Sequence, residues 1–351
     1  MQENVLERME RIGAERKMAD FNVKMNMDYE FKVKYAEIRA WEFYNECMSR
    51  GLNCHVSVGG LDSITLFLFL KSIGIHVPGI SVSYLEDSSI QEVHKTLGIE
   101  RLLSAKKKGG TRWNKADIIK EFGFPVISKE TAAKIELLQN PSEKNKTVRH
   151  AIITGETGAY GGYQKNSRMK LSQKWLEKFG GYENDTESVS YGIPDFKVSS
   201  KCCYYLKEKP CYDWAKAHNS VPYLGLMASE GGRRAKSLKI NGCNYFGKTT
   251  IRSAPFAIFN RQDILQLALD LNVPVPEIYG KIERKTDGTL YTTKAQRTGC
   301  SMCGFGIHLE KRPHRFDLLR DRNEKEWNFW MYEIGWGHVL DYIGVEWEDR
   351  L

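Results

Sequence analysis

The hydrophobic pattern of the first quarter of the chain predicts two helices with a strand between them. Apolar residues recur at helical spacing over 30–50, and Gly51 ends the pattern. The residues we place on or near the apolar face are Tyr35, Ile38, Phe43 and Met48. A short apolar run at 53–58 predicts a strand, and 62–73 predicts a second helix that Gly74 terminates.

Strands and helices continue to alternate after this point. Residues 80–85 alternate like a strand, a helix follows up to 97, and 101–104 predicts a further strand. Such alternation indicates an α/β protein with a parallel sheet, whose ligands bind beyond the carboxyl ends of the strands. Glu86 and Asp87 follow a predicted strand, where they would contact a ribose or Mg²⁺, or would simply be acids of a helix's first turn.

A glycine pair between the first predicted strand and the second helix indicates a phosphate-binding loop. Glycines let backbone N–H groups approach an anion closely, and the helix that follows directs the positive end of its dipole at the charge. We therefore expect Ser57, Gly59, Gly60, Asp62 and Ser63 to contact a nucleotide's phosphates. The alternative is a tight turn that binds nothing, since glycine pairs are common in turns.

Arginines are expected at such a site because they stay charged and bind phosphate oxygens in pairs. Arg233 and Arg234 follow a glycine pair at 231–232 and are the candidates, with Glu230 orienting one of them. The alternative is a surface turn with solvated arginines.

The cysteines predict metal or redox chemistry. Eight cysteines in a cytosolic chain argue against disulfides. Cys300 and Cys303 form a CxxC pair flanked by glycines, and Cys202 and Cys203 are adjacent. A CxxC pair by itself fits a structural zinc half-site, a dithiol redox pair or half of an iron–sulfur ligand set.

Charge and hydropathy narrow the cellular context only modestly. A net charge of +8 over 351 residues permits a nucleic-acid partner without requiring one. No signal peptide is evident, and the longest apolar run, at 64–70, is too short to span a bilayer. We expect a cytoplasmic protein with no membrane partner.

The glycine loop resembles the SGGxDS motif of the PP-loop superfamily, the adenine-nucleotide α-hydrolase-like proteins. Val58 replaces the first Ser of that motif, and Leu61 fills a position that is often Lys. Without that Lys, charge neutralisation would fall to backbone N–H groups, Ser63, Mg²⁺ or an arginine from elsewhere in the chain.

Ordered matches over about residues 50 to 345 resemble the phosphoadenosine phosphosulfate (PAPS) reductase family. They include Ser200-Lys201-Cys202-Cys203, the segment from Gly225 to Glu230 with the arginines after it, and Thr298-Gly299-Cys300 with Cys303. The resemblance implies a [4Fe–4S] cluster. Its ligands would be Cys202, Cys203, Cys300 and Cys303, with Cys243 in reserve.

The resemblance implies a fold and a domain organisation. We expect a parallel-sheet PP-loop core, Rossmann-like, with a mostly helical cysteine-bearing C-terminal part. The expected divisions are a helical extension at 1–50, the nucleotide-binding core at 51–200 and the iron–sulfur and substrate region at 201–351.

The reaction that the resemblance implies is sulfur transfer or sulfur reduction on an adenine nucleotide, either ATP with Mg²⁺ or PAPS. Asp62, Ser63, Arg233 and Arg234 would carry the chemistry. Reductases of this family use a cysteine on a C-terminal tail, and this chain has no cysteine after Cys303, which favours ATP-dependent activation. A tRNA or DNA sulfur acceptor and a protein donor of sulfur or electrons would be the partners.

Two alternatives stay open. One is a thiol-dependent reductase of PAPS or adenylylsulfate. The other is a non-catalytic zinc-containing protein that binds nucleic acid or a partner on a PP-loop scaffold, which the departures at Val58 and Leu61 favour.

Overall fold

The computed structural model describes residues 5–157, 168–182 and 190–348. The α-helices are α1 Val5–Met25, α2 Tyr29–Ser49, α3 Leu61–Ser72, α4 Ser88–Thr96, α5 Lys115–Phe122, α6 Lys129–Gln139, α7 Lys146–Thr154, α8 Gln173–Phe179, α9 Lys201–Cys203, α10 Lys209–Ala217, α11 Gly232–Asn241, α12 Arg261–Asp270, α13 Arg315–Arg322, α14 Glu324–Asn328 and α15 Trp336–Ile343. The strands are β1 Asn53–Ser57, β2 Gly79–Ser81, β3 Glu100–Arg101, β4 Val126–Ile127, β5 Ser220–Leu224, β6 Asn244–Phe246, β7 Ile251–Ser253, β8 Ile282–Arg284, β9 Leu290–Thr292 and β10 Gly304–Phe305.

The chain divides into two compact units, each made of two segments. The first unit comprises Met1–Leu103 and Pro210–Cys300, and the second comprises Ser104–Lys209 and Ser301–Leu351. The described residues thus form a mixed α/β protein.

A six-stranded sheet in the order β3-β2-β1-β5-β7-β6 organises the first unit. Its neighbouring strands are parallel, except that β6 pairs antiparallel with β7 at the edge. β1 pairs with β5 over its whole length, from Asn53 opposite Ser220 to Ser57 opposite Leu224. The prediction of a mostly parallel sheet is confirmed. β2 lies on one side of β1, and β5 lies on the other. The strand order therefore switches direction between β1 and β5. In α/β proteins, ligands bind at such a switch point, next to the loops that follow the two strands.

The helix predicted at 30–50 is confirmed as α2, but only part of its predicted apolar face is buried. Ile38 and Met48 are 46% and 41% exposed. The hydrophobic residues that α2 buries are Ala36, Ala40, Phe43 and Cys47. Small residues on that face let α2 approach the sheet closely, and the Tyr223 hydroxyl of β5 donates to the Ala40 carbonyl at 2.7 Å. Of the large apolar residues predicted for this face, Phe43 is therefore buried, whereas Ile38 and Met48 are not.

The second predicted helix is confirmed as α3, and the strands predicted after it are shorter than expected. α3 buries side chains around most of its circumference, including Ile64, Leu66 and Leu70. The strand predicted at 80–85 ends at Ser81, because Ser83–Leu85 forms a 3₁₀ turn. The turn brings the chain into α4, whose N-cap is Asp87.

The second unit has its own aromatic core and a two-stranded parallel sheet of β4 and β10. Trp336 is fully buried there, with its ring edge-on to Phe124 at 5.1 Å and to Phe316 at 5.2 Å between ring centroids. Such edge-to-face pairs hold α13 and α15 against the segment that precedes β4.

Across the parts of the chain that the structure describes, no helix combines the length and the apolar character needed to cross a membrane.

Candidate functional site

The loop between β1 and α3 forms a tight turn that Ser63 stabilises. Gly60 is the N-cap of α3 in an extended conformation, and no side chain caps it. The Ser63 hydroxyl accepts a hydrogen bond from the Gly59 N–H at 2.7 Å and donates one to the Gly60 carbonyl at 2.9 Å. His94 of α4 contacts the same loop, with its Nε2 2.8 Å from the Gly59 carbonyl oxygen. The loop is therefore fixed by side chains of the two helices that follow it.

The loop after β5 packs directly on the first turn of α3. A Cβ added to Gly225 would lie 3.1 Å from the Ser63 Cα and 3.2 Å from the Asp62 carbonyl oxygen. Only a glycine fits there without a shift of the backbone. The two loop segments therefore meet at the switch point of the sheet. They are 57–63 and 225–230, which the resemblance identified separately.

An arginine from α12 completes this edge of the sheet. The Arg261 Nη1 lies 2.5 Å from the Asp62 Oδ1, and its Nη2 donates to the Gln296 carbonyl at 3.1 Å. The Arg261 side chain is 27% exposed and that of Asp62 30% exposed, so a ligand at the loop can reach both. Arg261 therefore places a cation beside the loop from a distant part of the chain.

The electrostatic environment of Asp62 identifies two more groups at the site. Burial raises the pKa of Asp62 above its ordinary value of 3.8, and the nearby Glu230 carboxylate adds to the increase. Arg261 and Arg297 act in the opposite direction. Two guanidinium groups and two carboxylates therefore share this partly desolvated edge, and the arginines are suited to a phosphorylated ligand.

A buried tyrosine lies over the beginning of α3. The Leu61 N–H donates to the Tyr279 hydroxyl at 3.2 Å, and that hydroxyl is 2.7 Å from the Thr298 Oγ1. Burial is the largest cause of the raised pKa of Tyr279, so its phenol stays protonated at neutral pH. The Gly60 N–H makes no hydrogen bond with the residues that the structure describes. Of the three amides at 59–61, two are thus held by side-chain oxygens.

The structure brings together most of the predicted phosphate ligands. Gly59, Gly60, Asp62 and Ser63 lie in one turn, immediately after Ser57 at the end of β1. Glu230 ends the 3₁₀ turn Ala228–Glu230 and contributes to the electrostatics of Asp62.

The other predicted ligands are less closely tied to the loop. Arg234 is a mostly exposed residue of α11, with its Nη1 3.4 Å from the Glu230 Oε2. Arg233 lies in the same helix, and its side chain is outside the described part of the chain. Glu86 precedes α4 and accepts a hydrogen bond from Gln91 through its backbone carbonyl. Ligand contacts by these three residues stay predictions.

The four cysteines predicted to hold a cluster are divided between the two units. Cys300 is the last residue of the first unit, and Cys202, Cys203 and Cys303 belong to the second. Cys202 is buried and the other three are half-buried. Among the described residues, no three His, Cys, Asp or Glu side chains form a group that could hold a metal ion. The cluster therefore stays a prediction of the resemblance.

Cys243, the reserve ligand, is buried beside Tyr35 and Arg39. Burial is the largest cause of the increase in its pKa to about 11. A thiol with this pKa is protonated at neutral pH, and metal ligation or nucleophilic attack requires a thiolate. The burial of Cys243 is consistent with a packing role in the core.

Sequence reasoning missed four residues of the site: Arg261, Arg297, Tyr279 and Thr298. Thr298 was part of a matched segment but had no assigned role. A sequence signal for Arg261 was present. Asn260 and Asp263 predict a capped helix that begins at Arg261. In a parallel sheet, helices that follow strands begin at the edge where ligands bind. No protein-family model matches the chain, and no curated protein matches it in sequence.

Proposed function

We propose that this chain is an adenine-nucleotide-binding enzyme with a PP-loop core, similar to the PAPS reductase family, and that it activates a sulfur acceptor with ATP. The observation that carries the proposal is the Arg261–Asp62 pair at the first turn of α3, beside a glycine loop at the switch point of a parallel sheet. Each feature alone is common, and together they supply both the backbone donors and the cations that a polyphosphate requires.

Phosphate binding follows from these groups. The Gly60 N–H lies at the N-terminal end of α3, where the helix dipole favours an anion. Arg261 and Arg297 neutralise the phosphate oxygens in place of the absent loop lysine. Asp62 holds the Arg261 guanidinium in position until a phosphate arrives, and Ser63 keeps the loop in its turn.

Adenylyl transfer is the chemistry that suits these parts. An oxygen of the acceptor attacks the α-phosphorus, the bond from that phosphorus to the β-phosphate's bridging oxygen breaks, and pyrophosphate leaves with the electron pair. The arginines stabilise the charge that develops on the phosphate oxygens, and no nearby general base is required. ATP would bring Mg²⁺ as its usual counterion, with Asp62 and Glu86 as the candidate carboxylates for it.

The sulfur step depends on the resemblance alone. A tRNA or DNA acceptor and a protein donor of sulfur or electrons are the partners it implies. No step is assigned to a cluster, because no group of three metal-ligating side chains is found among the described residues.

Two assays on the same preparation test the proposal. We expect saturable ATP binding and release of pyrophosphate in the presence of an acceptor, with no sulfite formed from PAPS and a thiol. Ser63→Ala should weaken binding, because it removes the hydroxyl that holds the Gly59 N–H. Ser72→Ala is the matched control, since Ser72 makes a similar hydrogen bond to the Phe69 carbonyl at the other end of α3. Sulfite formation without ATP turnover would replace this proposal with the thiol-dependent reductase.

One observation favours the second candidate, a non-catalytic scaffold. The Gly59 and Leu61 amides already have intramolecular acceptors, so the loop is satisfied without an anion. A colourless protein with stoichiometric zinc after anaerobic purification, and no binding of any adenine nucleotide, would establish this alternative.

A further inference from the structure

Tyr279 fills the space directly over Gly60 and is almost fully buried, with 3% of its surface exposed. A Cβ added to Gly60 would lie 2.3 Å from the Tyr279 hydroxyl oxygen and 3.1 Å from the Thr298 Oγ1. The φ of Gly60 is −77°, which any residue adopts, so the backbone conformation does not require glycine here. The contact with Tyr279 does.

The Tyr279 hydroxyl accepts a hydrogen bond from the Leu61 N–H, a donor that a phosphate would also engage. Leu61 is the first residue of α3, and its N–H is one of the amides at the start of that helix that have no acceptor within the helix. A single N–H cannot donate fully to two acceptors. A charged phosphate oxygen accepts a stronger hydrogen bond than a neutral phenol does, so an incoming phosphate displaces the tyrosine oxygen.

Displacement of Tyr279 also changes its second hydrogen bond. The Tyr279 hydroxyl is 2.7 Å from the Thr298 Oγ1, and Thr298 lies two residues before Cys300. The segment before Cys300 is further held by the hydrogen bond from Arg261 to the Gln296 carbonyl. Arg261 is itself a proposed phosphate ligand, so two of the contacts that hold 296–298 depend on groups that a phosphate would engage, whereas the hydrogen bond from the Gln296 Nε2 to the Thr292 carbonyl does not.

We infer that Tyr279 and Thr298 form a latch that a nucleotide's phosphate opens, and that opening it releases the segment that carries Cys300. The inference rests on the proposed function, because it names the regulation of that same site. Without nucleotide, the latch keeps the loop amide satisfied and the Cys300 segment held. With nucleotide, Leu61 donates to phosphate, Tyr279 moves away from Thr298, and the Cys300 thiol becomes more accessible.

Tyr279→Phe tests the latch, since it removes the hydroxyl and keeps the ring in the core. The competing hydrogen bond is lost, so the Kd for ATP should fall by about two- to tenfold. The rate at which Cys300 reacts with a maleimide, followed by peptide mass spectrometry, should rise without nucleotide to the value that the wild type shows only with ATP. Tyr291→Phe is the matched control, because the exposed Tyr291 hydroxyl pairs with Glu283 on the β8–β9 hairpin of the same unit.

Thr298→Val provides an independent variant that leaves the contact between Leu61 and Tyr279 in place. It should raise the labelling rate of Cys300 without nucleotide and change the Kd for ATP less than Tyr279→Phe does. If ATP binds the wild type and Tyr279→Phe changes neither its Kd nor the labelling rate, the latch is overturned and the proposed function stands. If no adenine nucleotide binds the wild type or either variant, the proposed function fails, and the latch fails with it.

Discussion

The Arg261 guanidinium and the Asp62 carboxylate, 199 residues apart in the chain, form a 2.5 Å ion pair at the start of α3. Arg261 is the first residue of α12 and Asp62 is the second residue of α3, so the pair joins the N-terminal ends of two helices. Each helix directs the positive end of its dipole toward this region. The negative charge of Asp62 lies between these two helix ends and the Arg261 guanidinium. It stabilises their positive charge when no phosphate is bound.

Arg261→Gln should weaken ATP binding by about tenfold to a hundredfold, the value of a lost charge-assisted hydrogen bond. Isothermal titration calorimetry measures the change. Arg284→Gln is the control, because Arg284 is an exposed residue of β8 that pairs with Gln266 in the same unit. Equal affinities for ATP in the two variants would remove Arg261 from the binding site.

The stability of the protein should depend on the protonation of Asp62. Burial raises its folded-state pKa above 3.8, so the folded state holds this proton more tightly than the unfolded state. The stabilisation from the neutral acid is complete below the unfolded pKa, and it is lost as the pH rises through the folded pKa. Thermal unfolding of the wild type and of Asp62→Asn from pH 3 upward should show the wild type losing stability relative to the variant across that window. A constant difference in Tm would contradict the raised pKa.

Gly60→Ala should destabilise the protein by about 1–3 kcal/mol, because the new Cβ overlaps the Tyr279 hydroxyl. Tyr279→Phe should relieve most of that loss in the double variant, since the same Cβ lies at an ordinary 3.6 Å from the ring carbon that carries the hydroxyl. Urea unfolding of the two single variants and the double variant gives the coupling free energy. Additive effects on the free energy of unfolding would mean that the Tyr279 hydroxyl is not the reason why residue 60 must be glycine.

Lys32→Met should strongly destabilise the protein. Lys32 of α2 and Asp263 of α12 form a 2.9 Å ion pair whose side chains are only 4% and 9% exposed. Asp263 also accepts a hydrogen bond from the Asn260 N–H, which caps the helix that begins at Arg261. An unpaired buried carboxylate costs about 3–5 kcal/mol.

Lys34→Met is the matched control for this pair, because the exposed Lys34 pairs with Glu37 on the same helix. Its effect should stay below about 1 kcal/mol. Urea unfolding of both variants separates the two values. Similar small losses would show that Asp263 does not depend on Lys32.

Local sequence patterns predicted the elements around the site but not the partners that come from distant segments. Ser57, Gly59, Gly60, Asp62 and Ser63 lie within one stretch, 57–63, so strand, turn and helix signals located them together. Period-2 and period-3.6 patterns report only what lies within one element.

The long-range contacts arise from topology instead. Arg261 contacts Asp62 because β5 and β7 lie on the side of β1 opposite β2. No single segment of the sequence predicts this strand order. Tyr279 reaches Leu61 from a 3₁₀ turn with no periodic signal. The buried face of α2 was predicted only in part for a related reason, since small residues such as Ala36 and Ala40 mark close approach between elements and carry little hydrophobic weight.

The central claim is that nucleotide phosphates bind at the glycine loop between β1 and α3. The most direct measurement is the two-dimensional amide NMR spectrum of ¹⁵N-labelled, deuterated protein during titration with ATP, and with adenosine as the control. The account predicts that the amide signals of Gly59, Gly60 and Leu61 shift saturably with ATP and stay in place with adenosine. Saturable ATP binding that leaves these three signals unmoved would contradict it.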